Sequence, residues 1–138
     1  MTENTEPELM TEDDIHAFGV EIVCKQLEQG GWSVETVDVF SDRETEPQII
    51  AAKDSETGFF VVRTAMYPRR GQIEGPAAFD NLVKHAESHG AACYFASVGI
   101  ANSQGIAEED MSRPVKGVAY HVAFDGLVKM ELPSNGSA

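Results

Sequence analysis

Positive charge is scarce in this chain: ten Lys and Arg stand against 23 Asp and Glu in 138 residues, for a net charge of -13. A field of that sign repels phosphate backbones, so general nucleic-acid binding is not expected, although a local basic patch can override it. Cysteine is equally scarce. Only Cys24 and Cys93 occur, both inside apolar periodic segments, which fits buried free thiols in a reducing compartment better than a disulfide framework. There is no apolar run long enough to span a bilayer and no apolar leader segment, so neither secretion nor membrane spanning is expected, and the cytoplasm is the expected location. The chain also lacks a Gly-rich phosphate loop, a serine nucleophile elbow and any internal repeat; its glycines fall at helix ends, turns and loops.

What is present fits one domain with an ordinary core, since 42% of residues are hydrophobic and the length does not leave room for two. Residues 1–11 read as an acidic tail, 12–132 as the domain and 133–138 as a frayed end. The first fourteen residues hold six acids and no base; without them the net charge is still -7. In "TEDDIHAFGVEIVCKQLEQGG", Thr11 and Asp14 form a capping box, Ile15, Phe18 and Ile22 recur at helical spacing, and Gly30-Gly31 stop the pattern, which predicts a helix over 12–29. Strands are expected near 33–40, 48–53, 59–67 and 92–100, the first three as an antiparallel meander. Pro76 and the stripe of Phe79, Leu82, Val83 and Ala86 predict a second helix over 77–89, and "VAYHVAFDGLVKMEL" reads as a hairpin turning at Asp125-Gly126.

The order helix, three strands, helix, strand, with its spacing over about residues 15–101, resembles the PD-(D/E)xK, or restriction-endonuclease-like, superfamily in its Holliday-junction-resolvase-like branch. "FGVEIVCKQLEQGGW" supplies Gly19, Glu21, Leu27, Gly31 and Trp32 for that branch's Gly-x-Glu and Leu-x-x-x-Gly-Trp/Tyr. "EPQIIA" supplies Glu46, and then Gln48 in place of an Asp; "VVR" supplies Val61 and Arg63 in place of Glu-x-Lys. The resemblance implies an αβββαβ core, a central mixed sheet flanked by helices, to which the C-terminal hairpin is added.

The same resemblance implies metal-dependent nuclease chemistry, which these residues do not supply. Mg²⁺ demands converging anionic oxygens, whereas Gln48 offers a neutral carbonyl and Val61 offers none. Arg63 keeps a positive charge but cannot be deprotonated. The expected protein is therefore a non-catalytic nuclease-like domain, an interaction or regulatory module with no cofactor, a protein partner and an open oligomeric state. Two other readings remain: an active Mg²⁺-dependent nuclease whose ligands have moved to Glu21, Glu46 or Asp54, and an acidic DNA mimic that binds a nucleic-acid-binding protein.

Arg63 sits within an otherwise apolar strand pattern, and an unpaired buried charge is costly. Glu21 is the expected partner, with Lys25 as its own alternative one turn along the helix. The candidate binding set is Glu21, Glu46, Gln48, Arg63, Arg69 and Arg70, the last two forming the densest positive spot in the chain. His85 and His89 lie four apart near Cys93, a spacing that can grip Zn²⁺, but the motif is incomplete and no metal site is expected. His16 and His121 carry no site expectation.

Overall fold

Reciprocal hydrogen bonds tie the start of the first helix: the Asp14 amide donates to Thr11 Oγ1 at 3.1 Å and the Thr11 amide to Asp14 Oδ2 at 2.9 Å. The capping box read from the sequence is thus in place, and the Thr11 backbone N–H holds the Asp14 carboxyl below its ordinary value. A computed structural model describes residues 8–105 and 107–132 of the chain. The elements are α1 (Glu12–Gln29), β1 (Ser33–Val37), β2 (Ile49–Lys53), β3 (Glu56–Met66), α2 (Pro76–Ser88), β4 (Ala92–Asn102), α3 (Glu108–Met111), β5 (Tyr120–Phe124) and β6 (Val128–Met130).

The six strands form one mixed sheet in an α/β fold. β1, β2 and β3 are an antiparallel meander, and β4 joins β3 in parallel, from Gly58 opposite Ala92 to Met66 opposite Ile100. Alternation along β3 assigns the two faces. Phe60 and Val62 pack with Val20, Val23 and Leu27 of α1, whereas Phe59 and Val61 pack with Leu82, Val83 and Ala86 of α2.

Two sequence expectations are corrected. The expected C-terminal hairpin is absent: β5 and β6 do not pair with each other, and both run antiparallel to β4, β5 against residues 98–102 and β6 against 93–95. β3 fills the other edge of β4 along the same stretch, so β5 and β6 lie in line on one edge. Asp125-Gly126 marks a break between them rather than a reversal, with Gly126 at a φ of 108°.

The second correction concerns residues 8–11, which do not belong to a free tail. Leu9 bridges Val115, Lys116 N–H donates to Glu8 O at 2.8 Å and Thr11 is the helix cap. Residues 1–7 and 133–138 lie outside the described residues.

Not specified by the sequence pattern is the inward line of α1. It runs through His16, Gly19, Val20, Val23 and Leu27, while Ile15, Phe18 and Ile22 flank it, half-buried. Gly19 explains the rotation: a Cβ there would lie 1.6 Å from Thr64 Oγ1 and 2.7 Å from Thr64 Cβ, so the helix backbone rests directly on β3. The closest face of the helix is set by its smallest residue, not its largest.

Thr64 Oγ1 is buried at this contact without a hydrogen-bond partner among the described residues. Its replacement by the near-isosteric Thr64→Val should therefore raise the unfolding free energy by about 1 kcal/mol, since an unsatisfied buried hydroxyl costs about 1–3 kcal/mol. Gly19→Ala should lower it despite Ala's better helix propensity, because overpacking costs about 1–3 kcal/mol. Denaturant unfolding of the two variants measures both; a destabilised Thr64→Val would show that the hydroxyl finds a partner.

Candidate functional site

Arg63 points to the α2 face of the sheet beyond the reach of α2, and the chain after β3 turns back to cover it. The fit is close. A Cβ on Gly71 would lie 1.9 Å from Arg63 O, and Ser97 Oγ donates to Gly71 O at 2.7 Å. This return segment carries Glu74, whose carboxylate receives the guanidinium as a fork: Nε donates to Oε2 at 2.9 Å and Nη2 to Oε1 at 2.8 Å. The other Nη2 hydrogen goes to Arg43 O at 2.6 Å, and Nη1 serves Gln48 Oε1 at 3.0 Å and Val62 O at 2.9 Å. All five guanidinium donors are thereby used within the protein.

The acid is Glu74, not Glu21. The Glu21 side chain is 63% exposed and lies 3.6 Å from Lys25, the alternative partner one helical turn away. Glu74 lay outside the sequence reading because nothing in "GQIEGP" marks it as inward-facing; only the return over β3 brings it to Arg63.

Gln48 is 1% exposed and uses both ends of its amide. Oε1 accepts from Val62 N–H at 2.8 Å as well as from Arg63, while Nε2 donates to Ser41 Oγ at 3.2 Å. Ser41 Oγ in turn donates to Pro47 O at 2.7 Å. Gln48 thus extends the β2–β3 ladder past the start of β2 and holds the 38–47 loop, work that needs a donor and an acceptor on one side chain. Aspartate has no such donor when ionised. Val61 is fully buried against Leu82 and Val83, so a carboxylate at that position would enter an apolar cluster.

The remaining candidates are dispersed. Glu46 is exposed, and its carbonyl rather than its carboxylate meets Gln48 Nε2, at 3.5 Å. Asp54 occupies the β2–β3 turn at a φ of 52°, roughly 20 Å or more from Arg63 by the rise of the intervening strand. His85 and His89 do approach, with ring centroids 4.6 Å apart, and both rest on Phe59. Cys93 does not complete a set with them. Its thiol donates to Met130 Sδ at 3.7 Å, and burial pushes it up to about 11, unfavourable for the thiolate that a metal requires. Among the described residues no three His, Cys, Asp or Glu side chains group as metal ligands.

Arg63 forms part of the wall of a cleft of about 1020 Å³ at the carboxyl end of β3, between the first turns of α1 and the return segment. Arg69 and Arg70 line it, as does Arg43, which the sequence reading did not select. Arg70 lies over Gly99 and pairs with Asp125 at 3.0 Å, bracing the break between β5 and β6. His16 closes another side. It is 3% exposed and donates from Nε2 to Val39 O at 2.6 Å, fixing the 38–47 loop to α1, although its position just after the cap had suggested no role.

A family model described as a domain of unknown function, DUF8840, matches residues 13–130. The chain belongs to the DUF8840 family. The matched span runs from the first turn of α1 to the end of β6 and so contains the whole Arg63 network and every residue lining the cleft except Glu12. No curated protein matches the DUF8840 chain.

Two measurements test this site. Glu74→Gln leaves the buried guanidinium without its anion and should cost about 2–3 kcal/mol, less than a fully buried pair because Glu74 is 32% exposed; Glu21→Gln should change stability by less than about 0.5 kcal/mol. Equal effects in denaturant unfolding would return Arg63 to Glu21.

The second uses pH. Burial pushes His16 below its ordinary 6.5, with Arg43 and Arg63 acting in the same direction against the Val39 hydrogen bond and Asp13. The unfolded chain therefore binds the proton more readily, so the stability from neutral His16 is complete above about pH 6.5 and is lost as pH falls from there. Unfolding free energies of the native chain and His16→Gln, compared between pH 7.5 and 5, should show a shallower acid loss in the variant.

Proposed function

We propose that this DUF8840 domain is a non-catalytic, nuclease-like α/β module that works by binding rather than by cleavage. The order α1, β1–β3, α2, β4, with β4 parallel to β3, supports kinship with the restriction-endonuclease-like core. One observation supports the loss of activity: of the four motif positions Glu21, Gln48, Val61 and Arg63, the three on the strands and just ahead of β2 are committed to the fold, and Glu21 lies exposed on α1. Gln48 holds a ladder and a loop, Val61 fills the core, and Arg63 has no N–H left for a water, a metal-bound hydroxide or a phosphate. A two-carboxylate metal site cannot be assembled there from Glu74 alone, because that carboxylate is already forked on Arg63.

The module reading expects a protein or small-molecule partner and no cofactor in a cytoplasmic setting. Among the described residues, no helix is long and apolar enough to cross a membrane. The rival with relocated ligands has less support, since Glu21 is engaged with Lys25 on the helix surface and Asp54 lies at the far end of β3.

The purified chain with Mg²⁺ or Mn²⁺ should leave duplex, branched and single-stranded DNA uncut, and should not retain a generic duplex near physiological salt. Cleavage abolished by Glu46→Gln would establish relocated catalysis. Tight duplex binding that weakens steeply with salt would establish a nucleic-acid groove.

A further inference from the structure

We infer that the cleft at the carboxyl end of β3 is a binding site for a compact phosphate-bearing small molecule, with Arg43 and Arg69 as its phosphate ligands. The inference rests on the non-catalytic reading above and gives it a ligand class. Four of the ten basic side chains of the chain line this one cleft, against two carboxylates, Glu12 and Glu74. In a protein of net charge -13 that grouping opposes the overall field.

The four arginines are not equivalent. Arg63 is saturated and Arg70 is held by Asp125, but the side chains of Arg43 and Arg69 have no acidic partner among the described residues. Arg43 is nonetheless held near the site by its own backbone, whose carbonyl accepts from Arg63 Nη2. Arg69 is fixed likewise by its amide, which donates to Met66 O at 2.9 Å. Two cations are thus presented to the cleft from anchored backbones, and guanidinium is the side chain best shaped for phosphate oxygens.

The rest of the wall bounds the ligand's size and character. Ile15, Met66, Tyr67 and Pro68 offer an apolar surface beside the arginines, and a volume of about 1020 Å³ accommodates a mononucleotide-sized molecule. A long polyanion is disfavoured, because beyond the cleft it meets a surface that remains acidic. A short phosphate ester feels mainly the local arginines.

The test is calorimetric titration of the full chain with inorganic phosphate, with adenosine monophosphate as a phosphate ester, and with adenosine as the uncharged control. The expected result is saturable binding of phosphate or the ester, none of adenosine, and weakening by about tenfold in each of Arg43→Gln and Arg69→Gln. Lys84→Gln, on α2 outside the cleft, should bind as the native chain does. Melting curves establish that the variants are folded, as expected for side chains that bear no contact in the core. Tighter binding of the ester than of phosphate would support use of the apolar wall; equal binding would assign the site to the phosphate group alone. No binding of either at millimolar concentration, or binding unaffected by both arginine variants, would overturn the inference. An acidic peptide that binds where phosphate and the ester do not would overturn it too. These outcomes leave the non-catalytic reading intact, whereas metal-dependent DNA cleavage would remove that reading itself.

Discussion

The structure turns on a cation within a sheet. Arg63 is 3% exposed, and a charge so placed must be neutralised and have its donors satisfied if the strand is to exist there at all. Its five N–H groups reach Glu74 on the return segment, Gln48 ahead of β2, the Arg43 carbonyl of the 38–47 loop and the Val62 carbonyl of its own strand. One side chain thereby fixes two irregular segments that have few apolar residues to hold them. The same saturation makes Arg63 a poor ligand for anything else.

Close backbone approach is the second constraint. Gly19 lets α1 rest on β3 at Thr64, and Gly71 lets the return segment rest on β3 at Arg63 from the opposite face. Neither position has room for a Cβ without displacement of strand atoms. The cleft at the end of β3 is the space between these two approaches, bounded by the first turns of α1 on one side and residues 68–74 on the other. Its arginines are gathered there because β3, the loop before β2 and the return segment all meet at Arg63.

Electrostatics separates two roles that the sequence pattern presents together. Arg63 and Arg70 each have a carboxylate within 3.0 Å and serve the fold, one beneath the cleft and one at the break between β5 and β6. Arg43 and Arg69 line the cleft, are anchored through backbone atoms instead, and have no acidic partner among the described residues. His16 belongs with the first group: it holds the 38–47 loop through Val39, and burial, with two guanidinium groups acting in the same direction, lowers its pKa below the ordinary value.

Local chemistry was legible in the sequence by itself, and so were the elements that depend on it. The Thr11–Asp14 capping box, the Gly30-Gly31 stop, Pro76 at a first helical position and the apolar alternation of residues 59–62 each act over a few residues, and they located both long helices, β2, β3 and β4 to within a few residues. Tertiary structure decided the rest. Asp125-Gly126 carries a hairpin signal, yet β4 offers an 11-residue edge on which β5 and β6 both gain ladder hydrogen bonds without reversing. Ile15, Phe18 and Ile22 do pack against the core, but a glycine, invisible to any hydrophobic pattern, sets the closest approach of α1 to the sheet. Glu21 was the expected partner of Arg63, but an ion pair depends on which carboxylate the completed chain brings within hydrogen-bond distance. Glu74 reaches it only after the segment following β3 has folded back over Gly71, a long-range geometry that no spacing of residues encodes.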